Sequence, residues 1–138
     1  MLYAKGERML KSGAFDYINL LDKAADASWK RNDVIANNIA NIDTPEYKRQ
    51  DINFNEVLTQ ALGYSRYTTM DAKVGNLRAD ELDVTVKTDY SGYSYRLDGN
   101  NVDLETENVI LAKNQLMYRG LMASITQEFK NFSTVLRK

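Results

Sequence analysis

Three places in the chain hold side chains that could do chemistry. Asp80, Glu81 and Asp83 gather carboxylates, the raw material of a general acid–base pair or a divalent-cation site. Asp98-Gly99-Asn100-Asn101-Val102-Asp103 is rich in oxygen donors, as a calcium loop must be. Tyr47-Lys48-Arg49 pairs an aromatic ring with two cations and could meet a phosphate. Each falls short. The acidic cluster has no partner base and no metal motif around it. A calcium loop alternates its oxygen ligands and needs Gly at the sixth position, whereas Val102 stands here at the fifth and Asp103 at the sixth. A turn leading into a helix N-cap fits that block better. The basic pair sits in a chain of net charge −1. Lys87, Arg96, Arg137 and Lys138 are too scattered to extend it into a patch, so Lys48 and Arg49 are expected to be solvated or to face another subunit. No glycine-rich phosphate loop is present. The chain contains neither His nor Cys, which removes imidazole catalysis, thiol nucleophiles, thiolate metal sites and disulfides together. The expectation is a protein without catalytic residues, cofactor, metal, nucleic-acid partner or small-molecule substrate.

With 138 residues, 43% apolar and 27% charged, the chain has the size and composition of one folded domain. No apolar run approaches the roughly 18 residues that span a bilayer. Residues 1–13 carry Lys5, Arg8 and Lys11 but no apolar core, so they are expected to form a flexible leader rather than a cleavable secretory signal.

Residues 14–42 read as one long helix. Ile18, Leu21, Ala25, Ser28, Asn32, Ile35, Ile39 and Ile42 follow a 3-4 spacing throughout, the mark of a helix–helix seam. Its small residues let a partner helix approach, and a buried Asn32 can fix register. Pro45 closes the helix. Residues 47–53 look extended. Phe54, Val57, Leu58, Ala61 and Leu62 share a face of a short helix that Gly63 ends. Residues 63–81 lack a period and read as loop. Leu82, Val84 and Val86, then Tyr93, Tyr95 and Leu97, alternate with polar residues around Asp89-Tyr90-Ser91-Gly92, which predicts a β-hairpin. Asp103 is a candidate N-cap for a second long helix over about 104–136. That helix has an apolar stripe on Leu104, Leu111, Tyr118, Leu121, Ile125, Phe132 and Val135, interrupted by Glu107, Asn114 and Glu128. The predicted fold is mainly α: two long terminal helices paired as a coiled-coil-like hairpin, with a short helix and a small β-hairpin or irregular segment between them. The parts are residues 1–13, 14–62, 63–97 and 98–138 of one structural domain. The stripe of the last helix is wider than one partner helix covers, which favours assembly with other subunits.

The first long helix ends in Asn37, Asn38 and Asn41, although Asn is a modest helix former. Flanking the Ile35–Ile39–Ile42 stripe, these amides are placed to hydrogen-bond neighbouring helices or the free carbonyls of the helix end.

Ala36-Asn37-Asn38-Ile39-Ala40-Asn41, followed by Asp43-Thr44-Pro45-Glu46-Tyr47-Lys48, resembles the N-terminal signature of the bacterial flagellar rod, hook and filament-junction proteins. Asp51-Ile52-Asn53-Phe54 and the block Leu97-Asp98-Gly99-Asn100-Asn101-Val102-Asp103-Leu104-Glu105-Thr106-Glu107 continue the likeness in the manner of a proximal rod subunit, as do Asn114-Gln115-Leu116 and Tyr118. The family usually has Gly where Glu46 stands, so a left-handed turn is not expected there. The resemblance implies a structural subunit of the basal-body rod, exported without a cleaved signal through the flagellar type III apparatus and assembled in a hetero-oligomeric tube outside the cytoplasm. Implied partners are other rod subunits, the rod–ring adaptor FliE and the export gate. Implied subunit-packing residues are Asn37, Asn38, Ile39, Asn41, Thr44, Pro45, Tyr47, Lys48, Asp98, Gly99, Asn100, Asn101, Val102 and Asp103. A FlgC-like sister rod subunit and a cytosolic coiled-coil interaction module are the alternatives.

Overall fold

A computed structural model of the chain describes residues 13–79, 82–90 and 96–137. The elements run α1 (Gly13–Ala40), β1 (Gln50–Ile52), α2 (Phe54–Gly63), α3 (Met70–Gly75), β2 (Val86–Thr88) and α4 (Leu104–Leu136). At 1.5 Å per residue the two long helices measure roughly 42 and 50 Å. They pack against each other along their length, as their periods predict. Of the expected leader, residues 1–13, residues 1–12 lie outside the described residues and Gly13 opens α1.

The packing differs from a plain apolar seam. On α1, Ile18, Ala25 and Ile35 are buried, but so are Ser28 and Asn38. On α4 the buried residues are Glu107 and Asn114, two of the three positions that look like interruptions in the sequence. Counted with them, Leu104, Glu107, Leu111, Asn114, Tyr118, Leu121 and Ile125 keep an unbroken 3-4 spacing. The seam is continuous, and its polar members are part of it. Asn114 donates to Ser28 O at 2.8 Å and to Asn32 Oδ1 at 2.9 Å, while the Ser28 hydroxyl donates to Asn114 Oδ1 at 3.1 Å. That exchange fixes the axial register of the hairpin, because a shift by one turn would leave the buried Asn114 amide without partners.

The main apolar cluster lies on the other flank of α1. Ala27, Phe54 and Leu82 form its centre, with Leu20, Ala24, Ile52, Val57, Leu58, Ala61, Leu77 and Val84 packed around them. The middle of the chain therefore folds back against α1.

Two expectations change, those for residues 63–81 and for Glu46. Residues 63–81 contain a short helix, α3, capped by Thr69 Oγ1 accepting from Ala72 N, with Val74 buried. One turn with one buried apolar residue leaves no period to detect. Strand β2 pairs antiparallel with β1, Ile52 facing Val86 and Gln50 facing Thr88. The second arm of the expected hairpin lies largely at 91–95, outside the described residues. Glu46 does take a left-handed conformation, with φ 58°. Its N–H donates to Asp98 O at 2.8 Å, and Gly99, at φ 75°, would place a Cβ 3.7 Å from Glu46 Cα. The second sequence block thus holds Glu46 in a conformation costing an L-residue about 1–2 kcal/mol. Glu46→Gly is expected to raise stability by about 0.5–1 kcal/mol after the entropy cost of glycine, read as a higher denaturation midpoint at unchanged slope. A lower midpoint would contradict the strained-turn assignment.

Candidate functional site

The two sequence blocks meet where α1 ends and α4 begins. The chain turns at 41–46 because α1 leaves free carbonyls there and Pro45 cannot extend the helix. Those carbonyls are satisfied from far along the sequence. Asn100 Nδ2 lies 2.9 Å from Asn41 O, 3.0 Å from Ile42 O and 2.9 Å from Thr44 O, and Arg96 Nη1 donates to Ile42 O at 2.7 Å. Cations favour a helix C-terminus, and α1 has no basic residue in its own last turn. Locally, Asn41 Nδ2 donates to Asn37 O, and Asn41 Oδ1 accepts from Thr44 Oγ1.

Asn38 is fully buried and uses its whole hydrogen-bonding capacity. Its Nδ2 donates to Gln50 O at 2.8 Å and to Glu107 Oε2 at 3.1 Å. Its Oδ1 accepts from Gln50 N at 3.0 Å and Tyr47 Oη at 3.2 Å. The amide thus pairs with both backbone groups of Gln50 as a neighbouring strand would, and also reaches α4. Only a side chain with a donor and an acceptor side by side can do this, which accounts for Asn at a fully buried helical position.

Glu107, also fully buried, accepts from Asn38 on one oxygen and from Arg49 Nε on the other. Arg49 Nη2 bonds Asp51 at 2.9 Å, and Asp51 takes a two-pronged contact from Arg31 Nε and Nη2 at 2.7 and 2.8 Å. Arg49 is therefore neither solvated nor turned to another subunit: its side chain is only 15% exposed and it balances carboxylates within the chain. Lys48 likewise turns inward, donating to Gly99 O. Burial pushes the Asp51 carboxyl upward, but hydrogen bonds from Arg31, Arg49 and the Ile52 N–H outweigh it and hold the group below its ordinary value. Burial, then the Glu107 charge, raise the Tyr47 phenol. Because the folded pKa of Asp51 is depressed, its stabilisation is complete above the unfolded value and is lost as pH falls through the folded one. Unfolding free energy is expected to drop below about pH 4. Asp51→Asn should flatten that acid limb, and an unchanged limb would show that Asp51 does not set it.

The second block holds the joint closed. Asn101 Oδ1 accepts from Arg49 N, and its Nδ2 donates to Asp89 O. Val102 is buried, with its N–H on Asn100 Oδ1. Asp98 Oδ1 accepts from Asn100 N, and Asp98 Oδ2 accepts from Arg96. Asp103 caps α4, accepting from the N–H groups of Glu105 and Thr106 and from the Thr106 hydroxyl, the last lowering its carboxyl most. Of the packing residues expected from the sequence, Asn37, Thr44, Pro45 and Asp103 are exposed, Ile39 is half-buried, and Asn38, Asn41, Tyr47, Lys48 and Asp98–Val102 interlock within one chain. Arg31, Arg49, Asp51 and Glu107 also belong to the joint, although the sequence does not single them out for it. The heptad spacing gives a signal for Glu107, and nothing local does for Arg49. Of the acidic cluster, Asp83 is exposed, and Asp80 and Glu81 lie outside the described residues.

Comparison with known proteins decides what this joint belongs to. The family profile of the flagella basal body rod proteins matches residues 23–48, which hold the first block. The flagellar basal body rod protein FlgB of Aquifex aeolicus (strain VF5) is 40% identical over 125 residues, covering 89% of this chain and 94% of that protein. This chain belongs to the FlgB family of flagellar basal body rod proteins. The FlgB proteins of Bacillus subtilis (strain 168), 35% identical over 120 residues, and of Borrelia hermsii, 31% over 129, cover 86% and 87% of the chain and 92% and 95% of their own lengths. The likeness to FlgB therefore spans both blocks and both long helices. Among the described residues no helix is long and apolar enough to cross a membrane.

Proposed function

We infer that the chain is a structural subunit of the bacterial flagellar basal-body rod and not an enzyme. Its membership of the FlgB family carries the reading, and the FlgB name of the relatives favours it over a FlgC-like place in the rod. The observation that best fits a building block is the division of labour between surfaces. The polar joint is spent inside the chain, while Val109, Leu116, Phe129, Val135 and Leu136 of α4 stand exposed. Apolar area of that extent is what neighbours cover in an assembly.

On this reading the joint sets the relation of α1 to α4, and Asn37, Ile39 and Pro45 at its rim join the exposed helix faces in packing against other rod subunits. The chain passes through the flagellar type III export gate, joins the rod outside the cytoplasm and meets the rod–ring adaptor FliE at its base. Export tests this against a cytosolic coiled-coil module. Deleting the export gate should abolish the protein outside the cytoplasm and in purified basal bodies. An unchanged extracytoplasmic level would overturn the reading.

A further inference from the structure

Two exposed stripes of opposite charge run along the hairpin, and neither takes part in the joint. On α1, Asp22, Asp26, Trp29, Asp33 and Ala36 follow a 4-3-4-3 spacing and all are exposed, Trp29 to 59%. The charged residues among them are all acidic. Lys30 beside them turns to the middle segment and donates to Val84 O. On α4, Lys113, Leu116, Gly120, Ala123, Gln127 and Lys130 keep the same kind of spacing on the side away from α1, again all exposed, and Arg137 extends the row. Arg119 lies alongside, and the one nearby carboxylate, Glu128, is half-buried toward the seam. None of these aspartates or cations has an ion-pair partner among the described residues.

Gly120 adds an independent observation. A glycine in a helix interior costs about 1 kcal/mol against alanine. Nothing lies within 4 Å of the Cβ it lacks, so the fold of the single chain gives it no reason to be small. A close approach from outside does. The contacts Phe15–Phe132, Trp29–Tyr118 and Asn38–Glu107 fix which residues stand level in the antiparallel hairpin. A neighbour at the same height sets Asp33 opposite Lys113 and the Trp29 ring opposite Gly120.

The geometry points to a head-to-tail contact between copies of this chain, in which the acidic α1 stripe of one lies on the basic α4 stripe of the next. The two patches differ, so the contact is heterologous and repeats from copy to copy rather than closing a twofold dimer. Like charges in the wrong arrangement repel, which confines the register. This inference rests on the rod-subunit reading and names which faces meet.

The test reverses the charges one face at a time in the full chain, produced as the only copy in its own cell. One variant carries Asp22→Lys, Asp26→Lys and Asp33→Lys; the other carries Lys113→Glu, Lys130→Glu and Arg137→Glu. All six positions are exposed, and thermal unfolding checks that each variant folds. Each alone is expected to lower incorporation into purified basal bodies about tenfold or more. Produced together, the two should restore it, because each then offers the face the other needs. Gly120→Leu supplies a readout that a merely structural role would not move: the free chain melts higher while incorporation falls. Full incorporation of either single-face variant overturns the contact. Loss that persists when the two are produced together assigns the stripes to a partner of different sequence and overturns the copy-to-copy assignment. Absence of the unaltered chain from basal bodies strikes the rod-subunit reading itself, a distinct result.

Discussion

Arg49→Met is expected to destabilise the free chain by about 3–5 kcal/mol, the range seen when one partner of a buried ion pair is removed. Glu107 has no exposed surface, and its Oε1 has Arg49 as its cation. Without Arg49 that carboxylate keeps only the Asn38 amide and the positive end of α4 to stabilise its charge. Methionine preserves most of the stem that packs in the joint, so the loss reports the charge and the hydrogen bonds. Arg49→Lys should lie between the two, since one ammonium cannot serve Glu107 and Asp51 as the guanidinium fork does. Combining Arg49→Met with Glu107→Gln should recover much of the loss by removing the orphaned charge, a coupling that a double-mutant cycle in urea measures directly. A cost under about 1 kcal/mol for Arg49→Met would place this pair among ordinary surface contacts and refute its role.

Asn38→Asp is the second large effect, and it separates shape from chemistry. The substitution changes almost no volume. It removes both donors, leaving Gln50 O and Glu107 Oε2 unserved, and sets a second carboxylate against the first. A loss of about 3 kcal/mol or more is expected, exceeding that of Asn38→Ala, which costs hydrogen bonds but adds no charge. The introduced carboxyl, buried beside a carboxylate, has a raised pKa in the folded state. The variant should therefore gain stability relative to the unaltered chain as pH falls from 7 toward 5. An Asp variant as stable at pH 7 as the unaltered chain, with the Ala variant the weaker of the two, would show that Asn38 fills space and no more.

The long helices are legible in the sequence because a 3.5-residue period sustained from Ile18 to Ile42 is produced by a helix seam and by neither a strand nor a loop. Asp103 is legible because a cap acts on its own next three residues. The joint is not. Asn100 binds the carbonyls of the turn that follows α1, 56 to 59 positions away, and no local pattern announces that. Arg49 reads as a surface cation until Glu107 and Asp51 are seen beside it. Glu107 and Asn114 look like faults in an apolar stripe, although their spacing puts them squarely on the seam. A three-residue strand carries too little alternation to name its partner, so nothing in the sequence announces that Val86–Thr88 pairs with Gln50–Ile52. Glu46 shows the limit of propensity: a glutamate takes a glycine-like conformation because Asp98 holds its N–H there.

The central claim is that the two blocks close on each other inside one chain and leave the helix faces to the neighbours. Imaging the assembled basal-body rod at side-chain resolution tests this most directly. Asn38 is expected against Glu107 of its own chain, with Val109 and Leu116 covered by adjacent subunits. A rod in which the 36–48 block engages the 97–107 block of a different subunit, or in which the outer face of α4 lies bare, would contradict it.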